Sequence, residues 1–231
     1  MIKEAILLAG GLGTRLQKVV NDVPKPMAPV SGRPFVEHVL DYLIASGIKN
    51  IIFSIGYKHE VFTKHFGNSY KNLKILYSIE DTPLGTGGGI RKAMKLTRSH
   101  NVLVVNADTI FKVDIAQFYM RHKKNIARLS IALRHIDDVI RYGSVGIDDY
   151  QRVIFFSEKD TLSGPGYING GVYIFRNDFF YSLNLPEKFS LEKDCLEKFY
   201  LKLKISGFPS NAYFLDIGIP EDYEKAQYEL I

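Results

Sequence analysis

Apolar positions fall into short runs separated by glycine-rich or polar turns, and their spacing changes along the chain. Ala5 to Ala9 is a continuous apolar run ending in glycines, which predicts a buried strand. Val36, Leu40 and Ile44 recur at helical spacing, so residues 34–46 read as a helix. Pro34 suits its first position and Gly47 the position just past its end. Ile51 to Ile55 and Leu73 to Ile79 read as strands, and Gly87 to Leu96 as a helix entered through glycines. Val102 to Val105 is a short apolar run of the kind buried on both faces. This alternation predicts an α/β fold with a mostly parallel sheet and right-handed crossovers. In the second half, Ala127 to Leu133, Gly143 to Ile147, Val153 to Phe156 and Gly171 to Phe175 read as strands joined by short turns. A helix at 190–203, a strand at 213–215 and a final helix from Pro220 complete the pattern. With no repeat, low-complexity stretch or linker, residues 1–231 read as one domain.

Composition narrows the function classes. Hydrophobic residues make up 46% and charged residues 24%, which is globular usage and not that of a disordered chain. No apolar stretch reaches the roughly 18 residues that a membrane span needs, and Lys3 and Glu4 stand directly before the first apolar run, unlike a signal peptide. The net charge of +5 suits an anionic small substrate, but no clustered basic stripe calls for nucleic acid. Lys58, Lys64, Lys71 and Lys74 read as a solvated face. The single Cys195 excludes an internal disulfide and a cysteine metal cluster, in line with a cytoplasmic setting. It falls in register with Leu191 and Phe199, as a core thiol would, and the six histidines show no metal-ligand spacing.

Two segments carry candidate chemistry. Leu8-Ala9-Gly10-Gly11-Leu12-Gly13-Thr14-Arg15-Leu16 places a glycine turn directly after a strand. Glycines let backbone amides approach a ligand, and successive amides cradle phosphates. Arg15 adds a forked, permanently charged donor. The turn matches neither the Rossmann fingerprint, whose third glycine would fall at Leu16, nor the Walker loop. In Val23-Pro24-Lys25-Pro26-Met27, prolines on both sides stiffen the backbone that carries Lys25.

Together, Gly-Gly-Leu-Gly-Thr-Arg-Leu and Pro-Lys-Pro resemble the signature of sugar-1-phosphate nucleotidyltransferases, the NDP-sugar pyrophosphorylases. The resemblance continues through Pro83-Leu84-Gly85-Thr86-Gly87-Gly88-Gly89, Asn106-Ala107-Asp108, Glu158-Lys159, Asn169-Gly170-Gly171 and Asp216-Ile217-Gly218-Ile219-Pro220. The loop after Glu80 and the segment Phe189-Ser190-Leu191-Glu192-Lys193-Asp194 are similar to the D-glycero-D-manno-heptose 1-phosphate guanylyltransferase group, and related muramate-phosphate uridylyltransferases look alike there.

The resemblance implies a Rossmann-like three-layer sandwich, with residues 1–125 as the nucleotide-binding half and 126–231 as the sugar-phosphate-binding half. It implies attack of a sugar 1-phosphate on a nucleoside triphosphate, giving an NDP-sugar for surface polysaccharide synthesis. GTP and heptose 1-phosphate are the expected pair. Arg15 would meet the leaving phosphates and Lys25 the α-phosphate, with Gly11, Gly13 and Thr14 in the phosphate turn. Leu8, Gly10, Gly85 and Gly88 would meet the nucleobase. Glu80 tilts the base toward guanine, which presents two adjacent donors to a carboxylate. Gly143, Glu158, Asn169 and Gly170 would meet the sugar, and Lys159 its phosphate. Asp108 and Asp216 would hold Mg²⁺, a hard ion suited to carboxylates, phosphate oxygens and water. A homodimer is expected from the family alone.

The alternatives are a uridylyl- or thymidylyltransferase on another sugar, a metal-dependent glycosyltransferase, and a non-catalytic nucleotide-sugar sensor. A glycosyltransferase usually shows Asp-x-Asp, where this chain has Asn106-Ala107-Asp108, and a sensor would have lost Arg15, Lys25 or an aspartate. No hexapeptide repeat follows Asp216, so no attached acyltransferase is expected.

Overall fold

Strand β1 (Glu4–Leu8) is apolar on both faces because it runs through the middle of the main sheet. In the computed structural model, which describes residues 1–11, 20, 22–158 and 163–230, a 3-10 turn (Lys25–Met27) comes next. The small hairpin of β2 (Pro29–Val30) and β3 (Arg33–Pro34) leads into α1 (Phe35–Ala45). The chain continues through β4 (Asn50–Ile55), α2 (His59–Phe66), β5 (Ser69–Tyr70), β6 (Leu73–Ile79), α3 (Gly85–Met94) and β7 (Asn101–Asn106). Then come β8 (Thr109–Phe111), α4 (Ile115–Lys124), β9 (Leu129–Ile136), β10 (Ser144–Ile147), β11 (Val153–Ser157) and β12 (Gly166–Arg176). A π-helical turn (Leu191–Leu196) runs into α5 (Glu197–Leu203), and β13 (Ser206–Ser210), β14 (Phe214–Asp216) and α6 (Pro220–Glu229) follow.

The main sheet has the order β11-β10-β12-β7-β1-β4-β6-β5, with β9 beside β12 and β13 beside β9. Its centre, β7-β1-β4-β6, is parallel. The long antiparallel strand β12 pairs with β7, β9 and β10, so strands from both halves of the chain share one sheet. Alternate residues feed two cores. Leu7, Phe53, Val105 and Ile174 face the side covered by α1, α2, α4 and α6. Ile6, Ile52, Val104 and Tyr173 face the side where α3 and the π-helical turn contribute Ile90, Ala93, Leu191 and Cys195. Helices, sheet and helices make the three layers, and α1 is amphipathic, turning Phe35, Val36, Val39, Leu40 and Leu43 inward.

Several boundaries differ from the sequence expectation. Helix α1 starts at Phe35, because Pro34 sits in extended backbone as its N-cap, while Gly47 takes the positive φ expected past a helix end. Strand β12 begins at Gly166, well before the expected Gly171. Strand β13 was not expected: Gly207 and Pro209 weaken its signal. The segment at 190–203 opens as a π-turn, so Leu191, Cys195 and Leu196 are buried and Phe199 is only half-buried. Cys195 is a core thiol, and burial pushes its pKa up to about 12.

Candidate active site

The carboxyl ends of the four central parallel strands converge on one cavity. Leu8 ends β1, Ser54 stands near the end of β4, Glu80 follows β6, and Asn106 ends β7. The cavity has a volume of about 410 Å³ and is also lined by Gly10, Gly11, Lys25, Thr86, Gly89, Asp108 and Gly218. Open α/β sheets bind ligands at this end of their strands.

One edge of the cavity is a two-stranded ribbon. Strands β8 and β14 pair antiparallel, with Asp216 opposite Thr109, and the Ile217 amide donates to the Asp108 carbonyl at 3.1 Å. The ribbon sets Asp108 and Asp216, from distant parts of the chain, side by side. Lys25 reaches them from its 3-10 turn: Nζ lies 2.6 Å from Asp108 Oδ2 and 3.5 Å from Asp216 Oδ1. The turn itself is closed by the Met27 amide donating to the Pro24 carbonyl at 2.7 Å. The Lys25 side chain is only 11% exposed, so its charge is committed to this corner. Two carboxylates therefore converge on one cation. Among the described residues, no group of three or more His, Cys, Asp and Glu side chains could form a metal cage. The donor set fits a hard divalent ion that takes its other ligands from phosphate and water, as Mg²⁺ does.

The opposite wall is organised by Glu80. Its Oε2 accepts from the Leu84 amide at 2.9 Å, and its Oε1 accepts from Ser54 Oγ at 3.2 Å. A methyl group on Gly89 would lie 2.6 Å from Glu80 Oε1 and 3.0 Å from Ser54 Oγ, so a larger residue there would push the carboxylate out of its present position. Gly88, expected at the nucleobase, does not line this cavity. Gly88 faces the Glu187 carbonyl and lines a separate cavity of about 210 Å³ with Arg91, Lys92 and Lys95, and Gly89 takes the place beside Glu80. A segment from the second half fastens the glycine loop. The Gly87 and Gly88 amides donate to the Phe189 carbonyl, and Thr86 Oγ1 donates to Glu192 Oε2 at 2.7 Å.

The expected sugar-side residues stand apart from this cavity. Asn169 Nδ2 donates to the Tyr173 hydroxyl at 2.7 Å, and the Gly171 amide donates to Asn169 Oδ1 at 3.1 Å. Burial, and then the negative field of Glu192 and of Glu158 and Asp108, holds the Tyr173 hydroxyl well above its ordinary pKa, so it stays protonated. Gly170 packs against the core. It faces inward, where a methyl group would lie 2.4 Å from the Phe111 ring, and Gly171 is the glycine packed against the cavity residue Asn106. Gly143 has a φ of +73° and packs on the Glu158 backbone, where a methyl group would come within 2.4 Å of the Glu158 carbonyl. Gly13, Thr14, Arg15 and Lys159 lie outside the described residues.

Sequence reasoning missed three site residues. Ser54 interrupts an apolar strand near its carboxyl end, a signal that was available. Asn106 and Gly89 sat within motifs without a role of their own. Arg141, which does not line the cavity, also had no signal: its guanidinium donates to Asp222 of α6 at 2.7 Å, which raises its pKa, and Asp216 adds to that field.

The model of the nucleotidyl transferase family matches residues 4–231. The chain belongs to that family. It is 51% identical to the D-glycero-alpha-D-manno-heptose 1-phosphate guanylyltransferase of Aneurinibacillus thermoaerophilus, over 98% of each chain. It is 43% identical to the enzyme of the same name from Campylobacter jejuni, over 95% of this chain and 96% of that one. Among solved structures, HddC from Yersinia pseudotuberculosis complexed with GMP-PN superposes with a TM-score of 0.88 at 39% identity, covering 100% of both chains. The fold is shared more widely: a nucleotidyltransferase-type structure from Bacillus anthracis aligns at TM-score 0.85 with 20% identity over 98% of this chain and 94% of that one.

Proposed function

We propose that this family member is a guanylyltransferase that joins GTP and D-glycero-α-D-manno-heptose 1-phosphate into GDP-heptose and releases pyrophosphate. The observation that carries the reading is the convergence of Lys25, Asp108 and Asp216 at one edge of a cavity whose opposite wall holds Glu80. The near full-length likeness to heptose 1-phosphate guanylyltransferases supports the choice of sugar. A structure similar over its whole length, complexed with GMP-PN, supports the choice of base.

In this reading a sugar 1-phosphate oxygen attacks the α-phosphorus. A new P–O bond forms, the bond to the β-phosphate bridging oxygen breaks, and pyrophosphate leaves with the electron pair. The attacking phosphate has a second pKa of about 6, so it is already anionic and needs no general base. Catalysis then rests on alignment and on charge. Lys25 holds the α-phosphate, and Arg15 draws the β- and γ-phosphates. Lys159 holds the sugar phosphate, with Gly143, Glu158 and Asn169 around the ring. Asp108 and Asp216 hold Mg²⁺, which when bound offsets the charge that develops on the phosphate oxygens. Each Glu80 oxygen engages one protein donor and keeps a second acceptor position, so the carboxylate can take the two adjacent N–H donors of guanine. The buried thiol of Cys195 suits a reducing, cytoplasmic setting. A homodimer comes from the family resemblance, and light scattering of the purified protein tests it.

The test is pyrophosphate release with Mg²⁺, crossing the four NTPs with a panel of sugar 1-phosphates. Release is expected with GTP and the heptose 1-phosphate. Release only with UTP or dTTP and another sugar would overturn the base and sugar while keeping the chemistry. No release with any pair, despite nucleotide binding, would overturn the enzyme and leave a sensor.

A further inference from the structure

We infer that Lys25 is a stand-in cation: it holds the two aspartates together in the free enzyme and must leave them when the divalent metal arrives with the nucleotide. The inference rests on the reading of Asp108 and Asp216 as metal carboxylates. The Lys25 ammonium makes a 2.6 Å contact with Asp108 Oδ2 and also lies 3.5 Å from Asp216 Oδ1. It therefore lies between the two carboxylates, on the side where they converge. An ammonium and a divalent ion cannot share the Asp108 oxygen, and at such separations they repel strongly in a half-buried site.

Lysine suits this double duty. Its backbone is fixed between Pro24 and Pro26 in a closed turn, while its four-carbon stem can swing a point charge without moving that turn. Without Lys25, two neighbouring carboxylates on a rigid ribbon would repel each other. With it, that repulsion is offset and the pair stays converged on one cation. The triphosphate then does two things together. It offers the ammonium a new anionic partner in the same cavity, and it supplies the oxygen ligands that a two-carboxylate site lacks. Metal affinity is therefore low before nucleotide binds and high afterwards. The coupling is reciprocal, so metal raises nucleotide affinity by the same factor.

The test is a Mn²⁺ titration of the full chain without nucleotide, followed by electron paramagnetic resonance of the free ion, for the wild type, Lys25→Met and Lys25→Arg. Lys25→Met is expected to bind Mn²⁺ about tenfold or more tightly than the wild type, because the competing charge is gone. Lys25→Arg, which keeps the charge, is expected to stay weak. Adding Asp108→Asn to Lys25→Met should remove the gained site. Thermal melting checks folding, and Mn²⁺ should raise the midpoint of Lys25→Met more than that of the wild type. Equal or weaker Mn²⁺ binding by folded Lys25→Met would overturn the inference. Tight binding by Lys25→Arg equal to that of Lys25→Met would overturn it too. These readouts need no turnover. Absence of pyrophosphate release with these Mn²⁺ affinities as expected would defeat only the functional reading, and release with unchanged affinities would defeat only this inference.

Discussion

On the side proposed for the nucleotide, Leu8, Ser54, Glu80 and Asn106 each stand at or just past the carboxyl end of a parallel strand, so the sheet itself spaces them. The residues proposed for the sugar side, Gly143, Glu158 and Asn169, stand in or beside antiparallel strands, and none lines the main cavity. The first arrangement is fixed by backbone ladders before any ligand arrives. The second adds side-chain ties, such as Asn169 to Tyr173, to the antiparallel ladders of β9, β10, β11 and β12. In the proposed reading, a scaffold of this kind keeps the triphosphate geometry constant and leaves sugar selection to the other strands.

The hardest test of that contrast is the pair of carboxylates where the sides meet. Asp108→Asn is expected to lower kcat about a thousandfold while nucleotide affinity without metal stays within a few-fold. A similar loss in nucleotide affinity would mean that Asp108 shapes the pocket and does not serve the reaction. The next test asks whether the two sides melt together. His122 of α4 is buried between Asn101 of β7 and Ser130 of β9, one residue from each side of the comparison. Burial pushes its pKa down to about 4, from an ordinary 6.5. The unfolded chain therefore takes up a proton that the folded one refuses. The stabilisation is fully present above pH 6.5 and is lost as pH falls toward 4, by up to about 3 kcal/mol. Denaturant midpoints across that range should show it as one cooperative transition, and His122→Asn should flatten the slope. Two separated transitions would mean independent halves.

Base choice comes next. Glu80→Gln is expected to reduce the preference for GTP over UTP about a hundredfold in kcat/KM, with the KM for sugar phosphate unchanged. An unchanged preference would confine Glu80 to bracing the Leu84 amide. The smallest effect belongs to the sugar side. Arg141→Ala should raise the KM for sugar phosphate about five-fold and leave that for GTP alone, and the midpoint of unfolding should barely move, because half-exposed ion pairs contribute less than about 1 kcal/mol. A change in the GTP constant instead would erase the distinction between the sides.

The same contrast governs how much could be read from the sequence. The central strands were legible because both faces are buried and the apolar runs are continuous, as in Val102 to Val105. Helices α2 and α4 passed unread: each buries few side chains and is otherwise polar. Strand β13 was hidden by its glycine and proline, and the early part of β12 by its mix of glycine and polar residues. At the site, the family resemblance singled out the glycine loop, Lys25 and both aspartates, but not the adjacency of the aspartates, which comes from the β8–β14 ribbon. Nor could spacing say which glycine of Gly87-Gly88-Gly89, or of Gly170-Gly171, turns toward the cavity. That depends on the rotation of a helix or strand against its neighbour, Phe189 in the first case and Phe111 in the second.

Helix α6 has a consequence for the order in which the molecule is made. Tyr223 and Gln227 donate to the Pro29 carbonyl, and Gln227 also accepts from the Ser31 amide and hydroxyl, so α6 clasps the hairpin that follows Lys25. These partners are 194 to 198 residues apart along the chain. Chains leave the ribosome at roughly 5–20 residues per second, so the parallel strands are available for many seconds before that clasp exists. Through that interval the hairpin that follows Lys25 is unfastened. Bracing of the hairpin is thus deferred until translation has delivered α6, and a chain stopped short of Pro220 would keep Lys25, Asp108 and Asp216 but lose the clasp on the segment that follows the lysine.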